Sequence, residues 1–189
     1  LGQVLREGGN PSQALKVHRG LLYRRDLMHY EQIEMHKNLA LDYYQIGNIN
    51  DAIGELHTLL KIEKNSEWAI SQLITFYREQ QDWEKAGEYF AQYQKLTNKE
   101  DKHKLALYKI QEGRILIKNK QFQDARKTFE EALNINSDLG VAYYFIGNSY
   151  SSESEEEYQK SIKTDTENQP VSQENPDYME KAKELLGKA

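Results

Sequence analysis

Four alanines restrict what this chain can fold into. Ala14, Ala52, Ala86 and Ala125 are separated by 38, 34 and 39 residues, and twelve positions before each stands Gly2, Ala40, Ile74 or Gly113. Gly147 follows Gly113 by a further 34. A 34-residue period with insertions of four and five residues accounts for all of these separations. Such a period marks a supersecondary unit that cannot bury its apolar face alone and must stack on copies of itself.

The unit is most complete in residues 67–96, EWAISQLITFYREQQDWEKAGEYFAQYQKL. Trp68, Ile70, Leu73, Ile74 and Tyr77 recur at helical spacing, and so do Trp83, Ala86, Phe90 and Tyr93. Gln80, Gln81 and Asp82 form a polar turn between the two predicted helices. Gly or Ala at the small positions lets paired helices approach closely, while Tyr43, Tyr77, Phe90 and Phe129 fill the space between successive helices. Gly9 and Gly47 fall in the turns within pairs, where a left-handed backbone is useful.

Composition agrees with a stack of helices. Hydrophobic residues make up 38% and charged residues 29% of the 189, and the mean hydropathy of −0.87 is low for one globule. No apolar run approaches the ~18 residues of a membrane-spanning helix. Without cysteine there is neither a disulfide framework nor a thiolate metal site. A net charge of −5 argues against nucleic acid as a partner.

The pattern resembles the tetratricopeptide repeat. The residues that carry it are Leu39, Ala40, Tyr43, Gly47, Ala52, Leu56 and Leu59; then Ile70 to Tyr93 as above; then Gly113, Leu116, Phe122, Ala125, Phe129 and Ala132; and finally Tyr143, Ile146, Gly147 and Tyr150. The resemblance implies an all-α fold, a right-handed superhelix of about five helix pairs. Repeats are expected near 1–32, 33–66, 67–100, 106–139 and 140–189, in one domain spanning residues 1–189. After Tyr150 the apolar pattern fails. Residues 151–177 hold eight acidic and two basic residues, and are expected to form a mobile acidic insertion inside the fifth pair. The second helix of that pair is expected from Pro176 to Ala189, on the Pro-Asp start and on Ala182, Leu185 and Leu186.

A narrower resemblance rests on the opening LGQVLREGGNPSQALKVHRGLLYRRDL, where Leu1, Gly2, Arg6, Gly9, Ala14, Leu15, His18, Leu21 and Leu22 are similar to the start of the repeats in the lipopolysaccharide assembly protein B family. LALDYYQIGNINDAIGELHTLL and QLITFYREQQDWEKAGEYFAQYQKL resemble that family's consecutive repeats. The resemblance implies a cytoplasmic adaptor, tethered to the inner membrane by a helix outside this stretch, that helps a membrane protease control an early enzyme of lipid A synthesis. The family's anchor helix and rubredoxin-like cysteine motif are missing here, so the chain reads as a fragment or as a relative with another role.

No phosphate loop, nucleophile elbow or His-Glu-x-x-His stands in the sequence, and the five histidines lie at non-ligand spacing. An enzyme is therefore not expected, nor a metal or cofactor. In tetratricopeptide repeats the first helices line a concave groove. Carried onto this chain, the groove positions include Arg6, Lys37, Tyr44, Trp68, Arg78, Arg114, Tyr144 and Asn148. The arginines could hold partner carboxylates in a fork, Lys37 could add a point charge, and the aromatics could serve as anchors. A plainer reading has Trp68 in the inter-repeat core and the arginines solvated. The expected partner is a protein or peptide; the alternative is a self-associating module with no groove ligand.

Overall fold

The computed structural model describes residues 1–168 and 176–187, and all regular structure among them is helical. The elements are α1 (Gly2–Glu7), α2 (Pro11–Leu22), α3 (His29–Ile46), α4 (Ile49–Ile62), α5 (Glu67–Glu79), α6 (Trp83–Thr97), α7 (Lys102–Lys118), α8 (Phe122–Ile135), α9 (Gly140–Asn168) and α10 (Pro176–Leu186). They form two compact units, Leu1–Lys99 with α1–α6 and Glu100–Ala189 with α7–α10. Within each unit every helix packs on the next in sequence, giving the pairs α1/α2, α3/α4 and α5/α6 in the first and α7/α8 and α9/α10 in the second. No helix among the described residues is long and apolar enough to cross a membrane.

The period of the sequence is the period of the packing. Ala14, Ala52, Ala86 and Ala125 are all completely buried. A Cβ placed on Gly113 would lie 2.4 Å from the Phe129 ring, which is itself fully buried, so α7 and α8 meet at a distance that excludes any side chain there. The first unit's core is built on Leu39, Leu56, Leu59, Ile70, Leu73 and Phe76. The second unit's core gathers Ala106, Ile110, Phe129, Ala132, Leu139 and Ile146. Helix starts are capped where polar side chains precede the apolar stripe. Asn48, Asp82 and Asp101 accept hydrogen bonds from the backbone N–H of Asp51, Lys85 and Lys104, meeting donors that have no partner within the helix.

The turns inside the pairs repeat one conformation. Gly9 and Gly47 have φ of +80° and +87°, and the corresponding turn residues of the next two pairs, Gln81 and Lys120, have φ of +59° and +62°. The sequence reading found the two glycines and missed the two residues that adopt this conformation despite a side chain.

The acidic segment departs from expectation. Where an insertion is expected directly after Tyr150, α9 runs on without a break through SSESEEE to Asn168. Two of its carboxylates, Glu153 and Glu156, are engaged by cations of the same unit, while Glu155 and Glu157 are exposed. Glu153 pairs with Arg126 of α8 at 2.7 Å. Glu156 takes Lys120 at 3.3 Å and Lys160, one turn along, at 3.0 Å. Those cations hold Glu156 below the usual carboxylate range, Lys160 most strongly, although partial burial works against them. Tyr150 carries the Arg126 guanidinium 4.1 Å from its ring centroid and the Lys181 ammonium at 4.9 Å. A charge run that reads as solvated in sequence is thus a helix with one side, Glu153 and Glu156, docked on Arg126 and Lys120, and Glu is itself a good helix former. Residues 169–175 of the expected insertion lie outside the described residues. The expected helix from Pro176 is present as α10, with Ala182 buried.

Candidate protein-interaction surface

Each unit presents a face made by its first helices, and the two faces use their residues differently. In the first unit the face is formed by α1, α3 and α5. Arg6, expected in a groove, is instead buried against α3, with 8% of its surface exposed. Its Nη1 donates to Asp42 Oδ1 at 2.9 Å and to the Asn38 carbonyl at 3.2 Å, and its Nη2 donates to Asn38 Oδ1 at 3.0 Å. Asp42 is completely buried, and its other oxygen lies 2.5 Å from Nδ1 of the buried His18. The ring of His18 also occupies the space that a Cβ on Gly2 would need. One carboxylate therefore ties α1, α2 and α3 together, and Arg6 has no fork to offer a partner. The signal that could have shown this is Asp42 itself, a charge inside the apolar run LALDYY, where a carboxylate must find buried cations or be expelled.

The remaining predicted residues of this unit do come together. Tyr44 stacks on Phe76 with centroids 4.5 Å apart and planes at 16°. Its hydroxyl donates to Glu79 at 2.6 Å, and that carboxylate pushes the phenol above its ordinary pKa, with partial burial adding to the effect. Lys37 pairs with Glu34 at 2.9 Å and sits 5.8 Å from the centroid of Trp68, which is half-buried. Both links join α3 to α5. Arg78 is exposed, and no ion pair or hydrogen bond engages its guanidinium among the described residues.

Below the same unit's face, α4, α5 and α6 meet at His57. Its Nε2 lies 3.1 Å from the Tyr77 hydroxyl and its Nδ1 3.3 Å from the Tyr89 hydroxyl. Burial, reinforced by repulsion from Lys61 and Lys85, holds the imidazole below its ordinary pKa. A neutral ring suits this position, since it can accept one hydroxyl proton and donate its own.

In the second unit α7 and α9 form the face, and Phe145 is its seat. Phe145 stacks on the buried Phe129 at 5.5 Å and 18°. Tyr144 meets Phe145 edge-on at 5.3 Å yet keeps 46% of its own surface exposed. Arg114 lies 5.5 Å from the same ring centroid and is exposed; Nη1 donates to Gln111 at 2.8 Å. A guanidinium has five N–H donors, so most of its fork still faces outward. Val141, one turn before Tyr144, is 39% exposed, and Asn148, one turn after, is half-buried. Phe76, Glu79 and Phe145 escape the sequence reading because they neighbour stronger signals. Phe76 and Phe145 are the sequence neighbours of Tyr77 and Tyr144.

Helix pairs on a 34-residue period with two short insertions, closed by buried Ala and Gly positions, make this a helical-repeat protein of the tetratricopeptide type, a scaffold suited to contacts between proteins. No family model matches the chain. Among curated proteins it is similar to Lipopolysaccharide assembly protein B of Haemophilus influenzae, 25% identical over 179 residues, which is 94% of this chain and 43% of that protein. The chain thus spans less than half the length of this relative. Solved structures similar to it include MamA, with 19% identity, a TM-score of 0.46 and coverage of 100% of this chain and 95% of that one. Another is a Podosopora anserina putative kinesin light chain with nearly identical TPR-like repeats, with 13% identity, a TM-score of 0.45 and coverage of 99% and 92%.

Proposed function

We propose that the chain is a non-catalytic adaptor that holds a protein or peptide partner on the first-helix face of its repeats. The observation that carries this reading is the exposed pair Tyr144 and Arg114, both seated on Phe145. An aromatic and an arginine on a rigid, packed support have the composition of an interaction hot spot. The exposed Arg78 and the Lys37–Trp68 pair of the first unit offer the same chemistry. A matching segment carries an apolar side chain and a carboxylate. Binding needs no metal or cofactor, because shape and charge supply the recognition. The narrower role, supported by the similarity to Lipopolysaccharide assembly protein B, is a cytoplasmic adaptor that acts in lipopolysaccharide synthesis next to the inner membrane.

The test is affinity capture from bacterial extract on wild-type protein and on Arg114→Glu, Tyr144→Ser and Arg78→Glu variants, each first shown to be folded by circular dichroism. The reading expects partners held by wild type to be lost from the Arg114→Glu and Tyr144→Ser variants, and a membrane protease or an enzyme of lipid A synthesis to be among them. Identical capture by all four proteins overturns the surface; loss of other partners overturns only the narrower role. A self-associating module is favoured by Leu1 and Val4, 87% and 68% exposed. Light scattering that stays at the monomer mass at high concentration removes that second reading.

A further inference from the structure

Cations and exposed large apolar side chains are concentrated in one stretch of chain that the proposed adaptor function does not use. Residues 8–25 contain Lys16, Arg19, Arg24 and Arg25 and no acidic residue, in a chain whose net charge is −5. The loop that follows α2, residues 23–28, and the first turn of α3 then expose Tyr23, Met28 and Tyr30 to 82%, 63% and 63%. Three of the eight large apolar residues that are exposed among the described residues thus fall within eight consecutive positions. Asp26 neutralises Arg24 at 3.0 Å. Lys16, Arg19 and Arg25 are exposed and engaged by no carboxylate among the described residues.

Cations at the end of α2 have an ordinary explanation, since they complement the negative end of the helix dipole. That explanation gives no reason for two tyrosines and a methionine standing in water beside them. Tyrosine next to lysine and arginine is the combination that suits a bilayer interface, where the ring enters the headgroup layer and the cations meet anionic phosphates. A protein surface of matching charge satisfies the cations equally well, but it buries large side chains in shaped pockets. A fluid headgroup layer accepts them on a short irregular loop.

We infer that the α2–α3 loop is a peripheral contact for an anionic lipid surface, with Tyr23, Met28 and Tyr30 inserting among headgroups and Lys16, Arg19 and Arg25 holding the phosphates. Each cation strengthens adsorption about fivefold at low salt, and screening removes most of that gain near 1 M.

The test is co-sedimentation of the whole chain with vesicles of phosphatidylcholine containing 30% phosphatidylglycerol, and with phosphatidylcholine alone. Binding is expected to the anionic vesicles only, and to fall as salt is raised. Arg19→Glu/Arg25→Glu should weaken it more than tenfold. Tyr23→Ser/Met28→Ser should weaken it severalfold with the salt dependence kept. Equal binding to both vesicle types, no binding at low salt, or binding unchanged in both variants overturns the inference. So does a rise in mass by light scattering that Arg19→Glu/Arg25→Glu abolishes while wild type ignores vesicles, which assigns the loop to a contact between copies. Polyglutamate bound by wild type in the absence of any vesicle binding assigns it to an acidic protein.

Discussion

Arg6 and Arg114 both stand on the first helices of their pairs, four positions after Gly2 and one position after Gly113, and the protein uses them in opposite ways. Arg6 is buried, its fork closed on Asp42 and Asn38. Arg114 is exposed, resting on Phe145 with a single bond to Gln111. The same contrast extends along the two faces. In the first unit, Lys37 and Tyr44 are tied to Glu34 and Glu79 within the face; in the second, Tyr144 and Val141 are left exposed. Arg78, four positions after Ile74 as Arg6 is after Gly2, is exposed where Arg6 is buried, so a repeat position specifies where a side chain stands, and its neighbours decide whether it stabilises the stack or remains for a partner.

The largest expected effect tests the closed side of that contrast. Asp42→Ala leaves Arg6 and His18 buried without their carboxylate, and should destabilise the protein by about 3–5 kcal/mol in urea denaturation. Arg114→Ala should cost about 0.5 kcal/mol or less, as befits an exposed side chain. Equal costs would mean that Arg114 is as structural as Arg6 and would remove the contrast.

A smaller effect separates the units by pH. His57 has an ordinary pKa of 6.5, and its folded value is depressed. Its contribution to stability is therefore full above about pH 6.5 and is lost as pH falls below that value, because the unfolded state takes up the proton first. Glu156 in the second unit is also depressed, from 4.5. Its contribution persists down to about pH 4.5 and is lost only below it. Between pH 7 and pH 5.5, then, the first unit weakens through His57 while Glu156 changes nothing. Urea midpoints at these two pH values should fall less for His57→Gln than for wild type, and a Glu156→Gln variant should fall as wild type does. If His57→Gln follows the wild-type curve, the half-buried imidazole is not what titrates.

Much of this was legible before any coordinates. The spacing of Ala14, Ala52, Ala86 and Ala125, a 34-residue period with insertions of four and five residues, locates the helix pairs, because close helix approach demands a small residue at a fixed phase. Lys37, Tyr44, Trp68, Arg114 and Tyr144 fall on first helices for the same reason. What the spacing could not reveal is which side chains find partners across helices. Arg6 depends on Asp42, 36 positions away, and Glu153 on Arg126, 27 positions away. A composition count over residues 151–177 sees eight carboxylates and no core face, so it predicts solvation; the cations that dock α9 are supplied partly by α8 and the turn before it.

The smallest expected effect concerns the turns, where the units again differ. An ordinary residue in the left-handed region costs about 1–2 kcal/mol. Glycine removes that strain but gives back about 0.5–1 kcal/mol in chain entropy. Gln81 and Lys120 both stand there, at φ of +59° and +62°. Gln81→Gly should therefore stabilise the protein by about 0.5 kcal/mol, seen as a slightly raised urea midpoint. Lys120→Gly relieves the same strain but forfeits the contact of Nζ with Glu156 at 3.3 Å. That pair is exposed on the lysine side and worth little in salt, so the gain should be smaller at low ionic strength and approach that of Gln81→Gly as salt is added. If the two variants respond alike at low salt, Lys120 contributes nothing to docking the acidic helix, and Arg126 with Tyr150 must hold α9 in place.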